Sequence, residues 1–343
     1  MDALLREVDL RKNYLENETI NTIYFGGGTP SMLNADEINR IIIHLKNNFL
    51  VNENVEITLE ANPDDLNLNK LKQLRNTEIN RLSIGVQSFF DDDLEYLNRV
   101  HNSKNAIEAI ENSIKTGFDN LTADLIYGIP GLTEKKWREN LRIFFDFDIK
   151  HLSSYSLTVE PKTALNTLIN KKKLAPVNEE ESIAHFKILL EEAEKNKFNH
   201  YEISNFAQEG FYSKHNSIYW LGGNYAGFGP SAHSFNGTSR QWNIVNMNQY
   251  VESNTIENII LEKEQLTVNE QFNEYVMTSL RTIWGCDTAH IENTLGTTFV
   301  NSFKQTAKKF ILENKINKSG SIYTLTDEGK LFADGIASEF FIF

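Results

Sequence analysis

Strands and helices alternate along this chain from Ile20 to Thr158, and that alternation constrains the fold more than anything else in the sequence. INTIYF (from Ile20), VEITLEA (Val55 to Ala61), RLSIGVQS (Arg81 to Ser88), LTADLIYG (Leu121 to Gly128) and HLSSYSLT (His151 to Thr158) have the β-branched and aromatic character of strands. Amphipathic helices lie between them at Asp36 to Leu50, Leu66 to Arg75, Asp91 to Asn98, Asn105 to Gly117 and Glu134 to Phe147. A strand-plus-helix unit of roughly 30 residues specifies parallel strands joined by right-handed crossovers. The fold class is α/β. No G-x-G-x-x-G opens a helix, so a dinucleotide-binding open sheet is unsupported. Pro30, Pro63, Pro130 and Pro161 each lie just beyond a strand. They put the irregular loops on one edge, which in a β/α barrel is the edge that holds the active site.

That edge carries chemistry. Ile20 to Phe25 runs straight into Gly26, Gly27 and Gly28, then Thr29 and Pro30, so every Cβ is removed where the strand ends. Such a triplet serves either a sharp strand-to-helix turn, with Ser31 or Asn34 capping the next helix, or the close approach of a ligand. Glu60, Gln87 and Asp124 interrupt apolar strands at the same edge. A buried neutral polar group without a partner costs about 1–3 kcal/mol, and a charge costs more. With Thr29 they read as a ring around one polar ligand, the carboxylates suited to an ammonium or to ribose hydroxyls. The competing reading is that they bond loop amides and brace the rim. Arg99, in LNRVHN, pairs with a ligand carboxylate or is a solvated helix-end arginine.

Composition narrows the partners. Thirty-four Lys and Arg against 47 Asp and Glu leave a net charge of −13 over 343 residues, which argues against nucleic acid or an anionic membrane surface. No apolar run reaches the ~20 residues of a membrane-spanning helix and no signal-peptide pattern opens the chain, so the expected location is the cytoplasm. Cys286 is the single cysteine. It excludes an internal disulfide and reads as a small packing residue.

The second half differs. Ser182 to Lys197 is a helix, followed by strand-like HYEISNFA, and His215 to Phe235 (HNSIYWLGGNYAGFGPSAHSF) is dense in aromatics and glycines. Flat rings beside an imidazole suit a planar porphyrin whose iron takes an axial histidine; an aromatic core loop with a satisfied histidine has the same composition. From about Leu261 the pattern is helical, with Thr267 to Ile283 and Phe299 to Asn314 as helices. SIYTLTDEGKLFADGIASEFF then reads as a short hairpin or a strand leading to a terminal helix capped at Thr326. This resembles a small winged-helix-like domain, without the basic charge that DNA binding requires.

GGGTPSML (26–33), LEANPDD (59–65), IGVQSFFDDDLEYLNRVHN (84–102) and ADLIYGIPG (123–131) resemble radical S-adenosylmethionine proteins, in the subgroup of oxygen-independent coproporphyrinogen III dehydrogenases and HemW haem chaperones. The similarity continues through HNSIYW (215–220), NYAGFGPSAHSF (224–235) and TLTDEGKLFADGIASEFF (324–341). The resemblance implies a partial parallel (β/α) barrel over 1–200, a haem-binding segment over 201–260 and a C-terminal domain of the HemN type over 261–343. It implies that Gly27, Gly28 and Thr29 hold the methionine end of S-adenosylmethionine while Glu60, Gln87, Arg99 and Asp124 line the rest of its site. It makes His215 the candidate haem ligand, with His233 as the alternative. The function implied is that of a haem chaperone that transfers haem to an acceptor protein; the alternative is oxidative decarboxylation of coproporphyrinogen III.

The family's C-x-x-x-C-x-x-C, which binds a [4Fe-4S] cluster, is absent from this sequence, and Cys286 alone cannot replace it. Met1 to Asn17 reads as a helix, and its MDALLREV resembles the helix that follows that motif. The expectation is a reading frame that starts inside the gene, so that the first strand and the cluster loop are missing. The strand at Ile20 would then be left as an unpaired, aggregation-prone edge.

Overall fold

The computed structural model describes residues 1–343. The chain forms two compact units: one comprises Thr22–Ile38 and Glu56–Ser213, the other Met1–Asn21, Asn39–Val55 and Lys214–Phe343.

In chain order the first elements are α1 (Asp2–Leu10), β1 (Ile20–Phe25), α2 (Ala35–Asn48), β2 (Val51–Ala61), α3 (Leu68–Leu74), β3 (Arg81–Gln87), α4 (Asp91–Tyr96), α5 (Ser103–Lys115), β4 (Leu121–Tyr127), α6 (Glu134–Asp146), β5 (His151–Ser156), α7 (Ala164–Asn170), α8 (Glu179–Lys195), β6 (Asn199–Glu202) and β7 (Asn205–Ala207). The seven strands form one sheet in the order β1-β2-β3-β4-β5-β7-β6. β2–β3, β3–β4 and β4–β5 pair in parallel, whereas β7 is antiparallel to both β5 and β6. This is the expected partial barrel with β1 at one edge.

Alternation along each strand gives the sheet two unlike faces. Leu59, Leu82, Ile84, Val86, Leu121, Ala123, Leu125 and Leu152 are buried on one, the apolar face that crossover helices cover in a parallel sheet. The other face carries Thr58, Glu60, Arg81, Ser83, Thr122, Asp124, His151, Ser153 and Tyr155, and it opens toward the strands' C-terminal ends: Arg81 and Thr122 are buried, Ser83 and Asp124 partly exposed, Tyr155 exposed.

Several element boundaries differ from the sequence expectation. The first helix ends at Leu10 rather than Asn17: turns follow, and Glu16 (φ 49°) and Asn17 (φ 66°) are left-handed. β2 starts at Val51 rather than Val55. HYEISNFA is a hairpin, not one strand. Asn34 supplies the cap proposed for it or Ser31: its side chain accepts from the Glu37 amide while Glu37 accepts from the Asn34 amide.

The second unit contains α9 (Lys214–Trp220), β8 (His233–Phe235), β9 (Ser239–Asn243), α10 (Met247–Glu252), α11 (Ile256–Ile259) and β10 (Ile260–Gln265). β8, β9 and β10 form an antiparallel sheet, so the residues from Leu261 are a strand before they are a helix. Then come α12 (Val268–Ser279), β11 (Cys286–Asp287), α13 (Thr288–Thr294), α14 (Thr297–Leu312), β12 (Ile316–Ser319), β13 (Ile322–Leu325), α15 (Asp327–Lys330) and α16 (Ala333–Ser338). The antiparallel sheet β11-β13-β12 beside these helices is the winged-helix-like arrangement expected. Phe303 packs on Phe340 (4.6 Å) and Tyr323 (5.1 Å) at its core. Thr326 caps α15 by accepting from the Gly329 amide.

A buried ion pair ties α1 into this unit. Glu7 Oε1 accepts from Arg11 Nη1 (2.7 Å) and Asn243 Nδ2 (2.7 Å), and Oε2 accepts from the Tyr250 hydroxyl (2.6 Å) and the Gly229 amide (2.9 Å). Arg11 also donates to the Gly227 carbonyl and to Ser234 Oγ. Four donors satisfy one carboxylate that is wholly shielded from solvent. Removing one partner of such a pair leaves an uncompensated buried charge, so Glu7→Ala is expected to lose about 3–5 kcal/mol of unfolding free energy, read from urea denaturation.

Candidate functional site

Left-handed backbone clusters at or just beyond the C-terminal ends of β1, β3 and β4: Gly27 (φ 74°), Gly28 (φ 60°), Gln87 (φ 66°), Gly128 (φ 73°) and Gly131 (φ 89°). Gln87 is the exceptional one, because a side chain in this region costs about 1–2 kcal/mol relative to the right-handed form. The ladder to β4 is irregular between Ile84 and Gln87. The strain turns the amide of Gln87 back over its own strand: a Cβ on Gly85 would lie 2.9 Å from Gln87 Nε2 and 3.4 Å from Arg99 Nη2. Arg99 Nη2 in turn donates to Asn62 Oδ1 (2.9 Å) at the end of β2. Gln87 and Arg99, 12 residues apart in sequence, therefore converge over one glycine.

Glu60 is fixed from the side of β1. Its Oε1 accepts from the Tyr24 hydroxyl (2.7 Å) and its Oε2 from the Gly27 amide (3.2 Å). A Cβ on Gly26 would fall 2.6 Å from the Tyr24 ring, so only glycine fits where the loop leaves the strand. Gly27 and Gly28 are exposed and have nothing within 4 Å of where a Cβ would be. Glycine serves there for its backbone conformation. Thr29 is partly buried, with its carbonyl accepting from the Met32 amide.

Sheet register places Glu60 beside Ser83 and Asp124 beside Ser153, and Ser83 Oγ is 3.4 Å from Asp124 Oδ1. Burial pushes the Asp124 carboxyl up to about 7, with the charge of Glu60 adding to the rise and Ser153, Ser83 and Arg81 opposing it. Farther down the same face, Arg81 donates to Asn120 Oδ1 (2.6 Å) and Thr122 Oγ1 (2.7 Å), with Glu56 at 3.8 Å. His151 Nε2 is 2.7 Å from the Tyr201 hydroxyl, and burial holds that imidazole neutral.

Five of the seven barrel residues singled out from sequence thus meet in two linked groups: Gly27, Glu60 and Asp124 in one, Gln87 and Arg99 in the other. Gly28 and Thr29 continue the loop beside the first. Sequence reasoning missed Tyr24, Asn62, Ser83 and Ser153. The signal was there for the two serines: Arg81/Ser83, Thr122/Asp124 and His151/Ser153 put polar residues at every second position of otherwise apolar strands.

The aromatic segment forms a separate group in the second unit. His215 lies in the first turn of α9, its Nε2 3.0 Å from the Tyr219 hydroxyl one helical turn on. The rings meet edge-to-face at 5.0 Å, and Tyr219 meets Tyr225 in the same way at 4.7 Å. Tyr225 contacts Phe235, over which Arg240 sits. Burial pushes His215 down to about 4, so the imidazole is neutral at pH 7, and pushes the Tyr219 phenol up to about 12. His233 is exposed and stacks on Trp242 (5.8 Å). Cys286 is buried, and burial pushes its thiol up to about 12.

A glycine loop at the first strand of a partial parallel barrel, with polar side chains from successive strand ends, defines the radical S-adenosylmethionine class. A family model described as the Radical SAM superfamily matches residues 2–144, and one described as the HemN C-terminal domain matches residues 266–332. Among solved structures, coproporphyrinogen III oxidase (HemN) from Escherichia coli, described as a radical SAM enzyme, superposes with a TM-score of 0.82 over 99% of this chain and 82% of that one, at 22% identity. The chain belongs to the family of the heme chaperone HemW. The Bacillus subtilis (strain 168) protein of that name is 34% identical, over 97% of this chain and 91% of the relative, and the Lactococcus lactis protein 29% identical, over 100% and 90%.

The raised Asp124 carboxyl has a consequence for stability. Because its folded value lies above the ordinary 3.8, folding favours the neutral acid, and that contribution is present at low pH and lost as pH rises through about 7. Asp124→Asn mimics the neutral form. It is expected to melt above the parent at pH 8.5 and level with it at pH 4, checked by thermal denaturation across that range.

Proposed function

We propose that this protein is a haem chaperone: it binds haem through His215, binds S-adenosylmethionine at the strand ends of the barrel unit, and hands haem to an acceptor protein in the cytoplasm. The observation that carries the reading is the neutral imidazole of His215 on a short helix, packed against Tyr219, which in turn packs against Tyr225. A neutral imidazole nitrogen is an iron ligand, and flat aromatic rings match a macrocycle. Relatives named for this activity, matched along nearly their whole length, support it. His215 is favoured over His233, whose ring is stacked on Trp242.

The strand-end residues fit S-adenosylmethionine. The Gly26–Gly28 loop is open and presents backbone without side chains, Glu60 and Asp124 are carboxylates for its ammonium and ribose hydroxyls, and Arg99 is a cation for its carboxylate. Gln87 and Thr29 complete the set. When bound, the nucleotide supplies a cationic sulfonium beside these carboxylates. The residues present do not fit a [4Fe-4S] cluster, because cluster iron takes thiolates from several cysteines and Cys286 is a single buried thiol. No step is therefore assigned to a cluster.

Oxidative decarboxylation of coproporphyrinogen III is less well supported. Four propionates require cations, whereas the polar face of the sheet carries Glu56, Glu60 and Asp124, and its buried Arg81 is committed to Asn120, Thr122 and Glu56. No helix is long and apolar enough to cross a membrane.

Two measurements test these readings. Haemin titration followed in the Soret region is expected to show His215→Ala binding at least tenfold more weakly than the parent, while His233→Ala stays within twofold; unchanged affinity and spectrum in His215→Ala would reject His215 as the ligand. Anaerobic incubation of a cluster-reconstituted form, extended by the family's C-x-x-x-C-x-x-C segment, with coproporphyrinogen III, S-adenosylmethionine and a reductant is expected to yield no protoporphyrinogen, measured by chromatography after oxidation; product formation would favour the decarboxylase.

A further inference from the structure

His215 and Tyr219 stand one turn apart on α9, and the 3.0 Å separation of Nε2 from the tyrosine hydroxyl ties up the imidazole nitrogen farthest from the backbone. That nitrogen is the one a flat macrocycle reaches with least obstruction, since Nδ1 lies next to the stem of the side chain. The Tyr219 ring also meets the imidazole edge-to-face at 5.0 Å, and its far side is held by Tyr225 at 4.7 Å. An imidazole–phenol contact of this length is an ordinary hydrogen bond.

Building on the assignment of haem to His215, we propose that Tyr219 is a positioning residue that caps His215 Nε2 in the haem-free protein and must release it before iron is bound. The same nitrogen lone pair cannot accept a phenol proton and coordinate iron, and if Nε2 instead carries the proton, that proton must leave. Either tautomer makes the hydroxyl a competitor of the metal. The competition has a modest scale, since a neutral hydrogen bond is worth about 0.5–1.5 kcal/mol net. A chaperone gains from that scale: the ligand is aligned in advance, and the returning hydroxyl offers the imidazole a partner as haem departs.

Tyr219→Phe keeps the ring and its two edge-to-face contacts and deletes only the hydroxyl. Haemin titration of the full chain is expected to show this variant binding about 2- to 10-fold more tightly than the parent, with a slower rate of haem transfer to apomyoglobin. The saturated Soret spectrum should be unchanged, because the iron ligand is the same. Equal or weaker binding by a folded Tyr219→Phe protein overturns the proposal, as does a changed saturated spectrum, which would make the tyrosine a ligand. Tyr219→Leu, which removes hydroxyl and ring together, is the second variant: tighter binding there as well supports the cap, and weaker binding with Tyr219→Phe unchanged assigns the tyrosine a packing role instead. His215→Ala separates the two levels: if it binds haemin as the parent does, the haem assignment itself fails, whatever Tyr219→Phe shows.

Discussion

Glu60 is the point on which the barrel site depends. Tyr24 and the Gly27 amide hold its two oxygens from one side, and the neighbouring Ser83 leads to Asp124 on the other. The first contact fixes where the glycine loop sits relative to β2; the second sets the charge state of the site. Two carboxylates so close on one sheet face repel each other, and part of the rise in Asp124 is that repulsion. A cationic ligand relieves it. Tyr24 and the Gly27 amide hold Glu60 in place beside Asp124 against that repulsion.

The second group of site residues is built on strain rather than charge. Gln87 occupies a left-handed conformation that a glycine would adopt more readily, and the adjoining loop is pinned from behind. Ser88 Oγ donates to Asp93, Lys136 bridges Asp92 and Asp93, and Asn140 Oδ1 accepts from the Phe89 amide. His101 Nε2 lies 3.0 Å from the Val86 carbonyl. These contacts over-determine the turn after β3, which is how a disfavoured backbone conformation persists.

Much of this was legible in the sequence, for identifiable reasons. The order of strands and helices follows from periodicity, and the site's edge from where glycines, prolines and strand-end polar residues fall. Glu60, Gln87 and Asp124 stood out because each interrupts an apolar run. Tyr24 did not, because a tyrosine in a strand is ordinary and nothing local shows that its hydroxyl reaches a carboxylate 36 residues on. The end of the first helix was misjudged for a related reason: Leu15 keeps the helical apolar spacing, yet Arg11 is drawn into a network made by residues after 226. HYEISNFA concealed a turn at Ile203 and Ser204, which are neither glycine nor proline. Long-range partners decide these cases, and a window of neighbours does not contain them.

The Glu7 carboxylate finds its hydroxyl partner 243 residues later in Tyr250. Arg11 is within reach at the end of the same helix, but the other side-chain partners of Glu7, Asn243 and Tyr250, lie on β9 and α10 far later in the chain. The barrel strands from β2 to β5 pair with near neighbours and meet no such delay. The barrel strands should therefore pair before α1 docks, with the Glu7 carboxylate left in water until its distal partners arrive.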